Sequence, residues 1–286
     1  MTPAHVEFLR CPACRQPLEY VGVTPYGRLH CGNLRCVDAT CNAEWPVKDG
    51  LPHLLATRAS WGFDALVHAI YELIAPLHDL GVRYGLPLAM LATEDDVRGG
   101  LLRQLDLESL LTSRRQGGGE PVRILDVGIG AGGNLPFLAW GLPRGIGDVE
   151  IWGLDYSARM LAQCEERLLR WHGPPVSLLH GDAHALPFAD ATFDRVLHVG
   201  AIASYADPAQ ALREMSRVAR PGAPVVVVDE QLDPGAGWYQ QAMFHWITMF
   251  DRLKHAPVEH VPHGVTDLQV KQVAPFYYCL SFRAPA

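Results

Sequence analysis

The segment VRILDVGIGAGGNL, residues 122–135, decides the fold. An apolar run from Val122 to Val127 leads directly into a loop that contains four glycines. Glycine has no Cβ and tolerates positive φ, so such a loop can bring its backbone close to a ligand. Asp126 lies two residues before the first glycine, and a carboxylate at that place would repel a phosphate. The segment therefore predicts a strand followed by a loop whose ligand is not a phosphate.

The chain after Pro121 alternates between apolar strand-like runs and helical patterns, which is typical of a doubly wound, mainly parallel α/β sheet. We expect a Rossmann-like sheet of seven strands in which the last strand is antiparallel. The predicted strands are 122–128, 149–156, 176–183, 193–202, 223–231, 266–273 and 276–285, and the predicted helices include 157–173 and 209–222.

Three acids lie near the carboxyl ends of the first three predicted strands of this sheet. Ligands of open parallel sheets bind at the carboxyl ends of the strands, so Asp126, Asp155 and Asp182 should lie around one cleft. Asp155 can accept the hydroxyls of a ribose, Asp182 the amine of an adenine, and Asp126 favours a cationic, amine-bearing tail. S-adenosylmethionine has all of these groups and no phosphate, so it is the predicted cofactor.

Four motifs in residues 122–231 resemble those of class I S-adenosylmethionine-dependent methyltransferases: ILDVGIGAGG, GLDYSARML, GDAHALPFADATFDRV and ALREMSRVARPGAPVVVVDE. They occur in the order that this family shows, and they are most similar to the branch that includes quinone-biosynthesis methyltransferases. The resemblance implies methyltransferase activity. The resemblance implies cofactor contacts for Asp126, Gly128, Gly130, Gly132, Asp155, Met160, Asp182 and Ala183. Tyr156 and His198 are two further predicted cofactor contacts.

Methyl transfer from a sulfonium is an in-line displacement, so the protein mainly orients the reactants and excludes water. A base is needed only where the acceptor must lose a proton. His198 and Tyr205 are the predicted catalytic residues, although His198 also fits a satisfied core histidine. Weaker candidates are Tyr71, His78 and Glu230 as bases, and Trp238, Tyr239 and Phe244, in an aromatic-rich helix predicted at 238–250, as substrate contacts.

Five of the seven cysteines lie within residues 11–41, in short paired spacings that favour a metal site over disulfides. Cys11 and Cys14 with Cys36 and Cys41 would supply four thiolates to a structural zinc. Cys31 could replace Cys36 in this set, and unliganded thiols are the other interpretation. The segment resembles the Trm112-like zinc ribbon found at the N-terminus of some bacterial methyltransferases.

These patterns predict three parts: a zinc-ribbon module at 1–57, a helical cap at 58–120 that leads into the catalytic domain, and a cofactor-binding domain at 121–286. The first residues lack a basic head followed by an apolar stretch, and no apolar run is long enough to span a membrane. We therefore expect a cytoplasmic location without membrane insertion.

The formal net charge of −7 argues against a broad electrostatic grip on nucleic acid. The favoured hypothesis is a methyltransferase for a small-molecule metabolite held under the cap. One alternative is an rRNA or tRNA base methyltransferase that contacts RNA through the ribbon, which carries Arg10, Arg15, Arg28 and Arg35. The other is a non-catalytic adaptor that binds a protein partner through the ribbon, which the intact cofactor motifs disfavour. The segment HVGAIASY after the fourth strand lacks the Asn/Asp-Pro-Pro-aromatic tetrad of many amine methyltransferases, which weakens a nucleobase acceptor.

Overall fold

A computed structural model describes residues 1–56, 104–117, 120–142, 149–200, 202–247 and 255–286. Most of the predicted helical cap lies outside the described residues, as do the candidate bases Tyr71 and His78. No helix in the described ranges is both long enough and apolar enough to cross a membrane.

The described residues form eleven strands and five α-helices. The strands are β1 (Leu18–Gly22), β2 (Gly32–Cys36), β3 (Glu44–Lys48), β4 (Leu51–Leu54), β5 (Val122–Val127), β6 (Val149–Asp155), β7 (Val176–Gly181), β8 (Arg195–Val199), β9 (Pro224–Glu230), β10 (Thr266–Ala274) and β11 (Tyr277–Arg283). The helices are α1 (Leu107–Gly117), α2 (Leu135–Gly141), α3 (Ala158–Leu168), α4 (Pro208–Val218) and α5 (Trp238–Ile247).

All eleven strands belong to one sheet with the order β1-β2-β3-β4-β7-β6-β5-β8-β9-β11-β10. The strands β7, β6, β5, β8 and β9 run parallel, and β11 is antiparallel to both of its neighbours. Every strand predicted from the sequence is present, and the closing antiparallel pair is confirmed. The expectation of a seven-stranded sheet is wrong in extent, because the N-terminal strands continue the same sheet.

The short strand β4 joins the N-terminal strands to the central sheet. It is antiparallel to β3 and parallel to β7, where His53 pairs with His180 and Leu54 with Gly181. An edge strand such as β7 carries unpaired N–H and C=O groups, and β4 satisfies some of them. Leu54 is fully buried at this junction.

The core lies on both faces of the central strands, and every residue of β5 is buried. One hydrophobic cluster contains Trp152 of β6 together with Leu9 and Leu34 of the N-terminal segment. The other cluster holds Leu135 of α2 and Leu161 of α3 against the opposite face. The N-terminal segment therefore shares a core with the sheet.

Three helices differ from the sequence prediction. Helix α3 ends at Leu168, and not at Gly173 as predicted. Trp171 lies in the loop that follows, where its ring N–H donates to the Pro174 carbonyl at 2.7 Å. Two consecutive prolines disfavour helical backbone before them, which is the physical reason for the earlier end. Helix α1 continues to Gly117, although the segment RRQGGGEP, residues 114–121, predicts a loop, and α2 was not predicted.

Candidate functional site

The glycine loop after β5 has one open position and one packed position. Gly130 has a φ of +55°, and a Cβ built there would meet no atom within 4 Å. Gly132 has a φ of +79°, but a Cβ there would lie 2.9 Å from the Cys164 sulfur and 3.0 Å from Leu135. The loop therefore leaves room for a ligand at Gly130, whereas Gly132 is needed for close packing against α3.

Asp155, the last residue of β6, fixes this loop to the start of α3. One carboxylate oxygen accepts the backbone N–H of Gly130 at 2.8 Å, and the other accepts the N–H of Ser157, also at 2.8 Å. Ser157 caps α3 by accepting the Met160 N–H at 3.2 Å. Met160 is buried in a small cluster with Ala131. The structure thus brings Asp155 and Met160 beside the loop, as the motif order predicts.

Tyr156, the next predicted contact, is exposed, with 36% of its surface accessible. Its backbone carbonyl accepts a hydrogen bond from His180.

Asp126 lies deeper than the sequence interpretation assumed. Its side chain is fully buried in β5, and the Asn134 amide donates to its two carboxylate oxygens at 3.0 and 3.3 Å. Asn134 itself is buried and precedes α2. This pair joins the strand before the glycine loop to the helix after it. Asn134 was not predicted, although its position at the start of an apolar run behind the glycines was a signal for it.

Asp182 follows β7 and organises the turn that contains Ala183. One of its oxygens accepts both the backbone N–H and the ring Nδ1–H of His184, at 2.9 and 2.7 Å. Because Nδ1 of His184 donates to the carboxylate, its Nε2 accepts the Asp207 N–H at 3.4 Å. Ala183 is buried. His184 was not predicted, because nothing in the sequence spacing distinguishes it from a surface histidine.

His198 lies directly beneath the glycine loop, in β8. It is fully buried, its Nδ1 donates to the Val127 carbonyl at 2.6 Å, and a Cβ on Gly128 would lie 3.3 Å from its ring. Burial lowers the pKa of His198 to about 4 despite the opposing hydrogen bond to Val127. The ring is therefore neutral near pH 7, and its buried Nε2 has no hydrogen-bond partner among the described residues.

The aromatic ring of Tyr205, the second predicted catalytic residue, lies between two histidines. Its centroid is 5.3 Å from that of His198 and 5.2 Å from that of His184. The turn with Asp182 and the residues under the glycine loop are thereby linked through one ring.

The predicted substrate contacts of α5 divide between core and surface. Phe244 is buried, with its ring centroid 5.4 Å from that of Phe276, so it belongs to the core. Trp238 is 82% exposed and Tyr239 is 38% exposed. Glu230 ends β9 and is half-buried.

Four cysteines form a compact sulfur cluster: Cys11, Cys14, Cys36 and Cys41, whose sulfur atoms all lie within 4.8 Å of one another. The Cys11–Cys41 and Cys14–Cys36 sulfur distances are 3.8 and 3.3 Å. A tetrahedral zinc with Zn–S bonds of about 2.3 Å requires sulfur separations of about 3.8 Å. The donor set therefore fits a structural zinc.

Cys11 and Cys31 show opposite environments within the N-terminal segment. Burial alone would raise the pKa of the Cys11 thiol, but hydrogen bonds, chiefly from the Ala13 backbone, outweigh burial and lower it. Burial raises the pKa of Cys36 to about 12, and a hydrogen bond with Cys14 raises the pKa of Cys41. Cys31 is exposed and lies outside the sulfur cluster. Of the two alternatives, Cys36 lies in the sulfur cluster and Cys31 does not, and Cys36 as a zinc ligand stays a prediction.

A histidine pair connects the N-terminal segment to the loop after β6. His180 Nε2 donates to the Tyr156 carbonyl at 2.9 Å, so its Nδ1 is the acceptor in the 2.9 Å contact with His53 Nδ1. On the other side of Asp182, the Arg10 N–H donates to the Pro187 carbonyl at 2.9 Å. The N-terminal segment therefore holds the chain both before and after Asp182.

Three of the four arginines suggested as an RNA-binding face bond within the chain. Arg15 pairs with the nearly buried carboxylate of Glu214 at 2.7 Å, Arg35 pairs with Glu44 at 2.8 Å, and Arg10 donates to backbone carbonyls.

Comparison with known proteins identifies the segment that carries these features. The family described as methyltransferase domain matches residues 125–227. A demethylmenaquinone methyltransferase of Anoxybacillus flavithermus is 38% identical over 103 residues, which are 35% of this chain and 44% of that protein. A phosphatidylethanolamine N-methyltransferase of Cereibacter sphaeroides is 35% identical over 108 residues, which are 37% of this chain and 50% of that protein.

Residues 125–227 are therefore the part of this chain that is similar to methyltransferases. The chain spans half or less of the length of the curated relatives it matches.

Solved structures agree on the fold. The carbon methyltransferase DszA superimposes with a TM-score of 0.53 at 17% identity, covering 75% of this chain and 60% of that one. The cyclase SpnF superimposes with a TM-score of 0.50 at 18% identity, covering 79% and 98%. One fold thus carries proteins named for different reactions, so the function must be argued from the site.

Proposed function

We propose that this protein is an S-adenosylmethionine-dependent methyltransferase that methylates a small-molecule metabolite by in-line transfer. The observation that carries the proposal is the bond between the Gly130 N–H and the Asp155 carboxylate. It places an acid against the open position of a glycine loop, where a phosphate would be repelled and hydroxyls would be bound.

The residues around the loop divide into contacts and supports. Gly130 and Asp155 would contact the cofactor's ribose side, with Tyr156 and Met160 near its rings, and Asp182 with Ala183 would hold the adenine end. Gly128 and Gly132 shape the loop. Asp126 would act through Asn134 as a positioning residue, since its carboxylate has no exposed surface.

When bound, S-adenosylmethionine supplies both the methyl group and its leaving group. The chain's own residues would orient the methyl donor and exclude water. His198 is neutral and buried, so we propose that it supports the glycine loop by packing against Gly128 and does not act as a base. The Tyr205 hydroxyl lies beside the loop, since a Cβ built on Gly128 would be 3.7 Å from its oxygen. It is our candidate for contacting an acceptor that must lose a proton.

The relatives are named for demethylmenaquinone and for phosphatidylethanolamine, and these names support a small molecule as the acceptor. The internal pairing of the ribbon arginines gives no support to a broad RNA-binding face. We infer that the sulfur cluster holds one structural zinc and that the N-terminal segment at 1–57 serves the domain at 121–286 as a folded extension of its sheet.

Transfer of a labelled methyl group from the cofactor tests the function. Purified protein would be supplied with fractionated metabolites, including quinones and amine-bearing lipids, and in a separate arm with bulk rRNA at low and high salt. We expect label in a small-molecule fraction, its loss in Asp155→Asn, and its retention in Glu166→Gln, which changes an exposed acid on α3. Label confined to RNA, or none in any fraction while the cofactor binds, would refute the small-molecule proposal.

A further inference from the structure

Cys31, the cysteine left out of the sulfur cluster, lies in a second group of potential metal ligands. The ligand atoms of His30, Cys31 and Asp49 all lie within 4.8 Å of one another, and all three residues are exposed. They occupy the end of the ribbon hairpins where β2 begins and where β3 turns into β4. One sulfur, one nitrogen and one carboxylate oxygen therefore face a common point on the surface.

The backbone that carries these three residues is held on both sides. The carbonyl of His30 accepts the Gly50 N–H at 2.9 Å, which fixes the Asp49 turn against the His30 strand end. The carbonyl of Cys31 accepts the Val23 N–H at 3.0 Å. The hydroxyl of Tyr20 donates to the same Cys31 carbonyl at 3.1 Å. The convergence of the side chains thus rests on main-chain hydrogen bonds.

The turn itself has the form that presents Asp49 to His30. Asp49 and Gly50 both have positive φ, +50° and +86°, the conformation of a two-residue hairpin turn. An aspartate tolerates this region better than most residues, and a glycine tolerates it freely. The register in which Gly32 pairs with Val47 then places the turn opposite the residues that precede β2.

We propose that His30, Cys31 and Asp49 form a second metal site, for a zinc-like divalent transition-metal ion, on the surface of the ribbon. Sulfur, imidazole and carboxylate are all ligands that zinc accepts, and three of them leave one tetrahedral position for water. On binding, the Cys31 thiol forms a metal–sulfur bond and releases its proton to solvent. The resulting thiolate and the Asp49 carboxylate balance the two positive charges of the ion.

The exposed side chains can close on an ion. Ligand atoms at a tetrahedral zinc are about 3.3–3.8 Å apart, so the three ligand atoms must approach one another by up to about 1.5 Å, which rotamer changes achieve.

This site should be weaker and more labile than the sulfur cluster, because it has three ligands, is open to water and is exposed. Full-length protein would be treated with EDTA, freed of chelator under reducing conditions, and titrated with zinc chloride while bound metal is counted by elemental analysis. Co²⁺ would replace zinc in a parallel titration, because its absorption reports thiolate ligation.

The variants Cys31→Ser and Asp49→Asn test the site, and asparagine preserves the positive φ of the turn. Glu19→Gln, an exposed acid on β1, is the matched control. We expect the wild type and the control each to regain one more equivalent per chain than either variant, with weaker cobalt–thiolate absorption in Cys31→Ser. Equal metal uptake by the wild type and Cys31→Ser would overturn the proposal, whatever the sulfur cluster retains.

Discussion

The carboxylate of Asp155 accepts the backbone N–H of Gly130 at 2.8 Å, and this bond joins the end of β6 to the open position of the glycine loop. The same carboxylate also holds the N–H of Ser157 at the start of α3. Asp155 is thus a junction between two backbone segments as well as the proposed ribose ligand. Its replacement should affect cofactor binding more than folding.

We expect Asp155→Ala to weaken S-adenosylmethionine binding at least tenfold, because a hydrogen bond to a charged group contributes about 1.5–3 kcal/mol. Thermal melting with and without cofactor measures both effects. The variant should keep a cooperative transition and lose most of the cofactor-induced shift. Glu166→Gln should behave as the wild type, and an unchanged shift in Asp155→Ala would remove Asp155 from the site.

Two glycines of the loop, Gly130 and Gly132, should respond differently to an added methyl group. Gly132→Ala should lower the free energy of unfolding by about 3 kcal/mol, because strain at positive φ adds to the contact with Cys164. Gly130→Ala has no such contact and should cost only about 1 kcal/mol, yet its methyl group occupies the open face and should weaken the cofactor. Urea unfolding and calorimetry would measure the pair.

If Gly130→Ala proved the less stable variant, or if it bound cofactor normally, the assignment of open and packed positions would be wrong.

His198 should make stability depend on pH. Its folded pKa of about 4 lies below the ordinary value of 6.5, so between these values the unfolded chain binds a proton that the folded chain does not. The stabilisation is therefore fully present above pH 6.5 and is lost as the pH falls toward 4, up to a total of about 3 kcal/mol.

The variant His198→Gln keeps a donor for the Val127 carbonyl and should show a shallower decline of unfolding free energy between pH 6.5 and 4. His263→Gln, an exposed histidine, should decline as the wild type does. Parallel curves for wild type and His198→Gln would show that His198 titrates normally.

Metal at the sulfur cluster should affect cofactor binding from a distance. The N-terminal segment pairs with β7 at Gly181 and holds Pro187 through Arg10, so it brackets Asp182. We expect Cys14→Ser to lose about one zinc per chain, to lower the melting temperature and to weaken the cofactor. Cys31→Ser should leave cofactor affinity unchanged. Full cofactor affinity in metal-free Cys14→Ser would show that the N-terminal segment does not contribute to cofactor binding.

The Arg15–Glu214 pair should stabilise the contact between the ribbon and α4. Glu214 is nearly buried and also accepts two bonds from Arg217, at 2.7 and 2.9 Å. Glu214→Gln should therefore lower the free energy of unfolding by about 2 kcal/mol. Arg35→Ala breaks an exposed pair and should change stability by less than about 1 kcal/mol. Equal effects in chemical denaturation would contradict this ranking.

The sequence predicts strands β5 to β11 within a few residues because their apolar runs end at residues that favour turns or loops, such as Asp155 and Gly181. The positions of Asp126, Asp155 and Asp182 near the strand ends follow from the same apolar runs. Helix α2 was missed because its short apolar pattern follows a glycine loop and contains Pro136.

What the sequence could not show depends on contacts between distant residues. His53 and His180 are 127 residues apart in the chain, yet they pair between β4 and β7. The four residues of β4 are too few for the sequence to predict which strand they pair with. Burial of Asp126 beneath the loop and the turn of His184 toward Asp182 are also products of packing. Because of this burial, we propose that Asp126 positions Asn134, whereas the sequence predicts a direct contact between Asp126 and the cofactor.

The most direct test of the central claim is isothermal titration calorimetry of the reduced, zinc-loaded protein with four ligands in separate runs. The ligands are S-adenosylmethionine, its demethylated product, a nicotinamide dinucleotide and a nucleoside triphosphate. We predict one site per chain for the first two and no measurable heat from the phosphate-bearing pair. Uptake of either phosphate-bearing ligand, with indifference to the sulfonium donor and its product, would contradict the account.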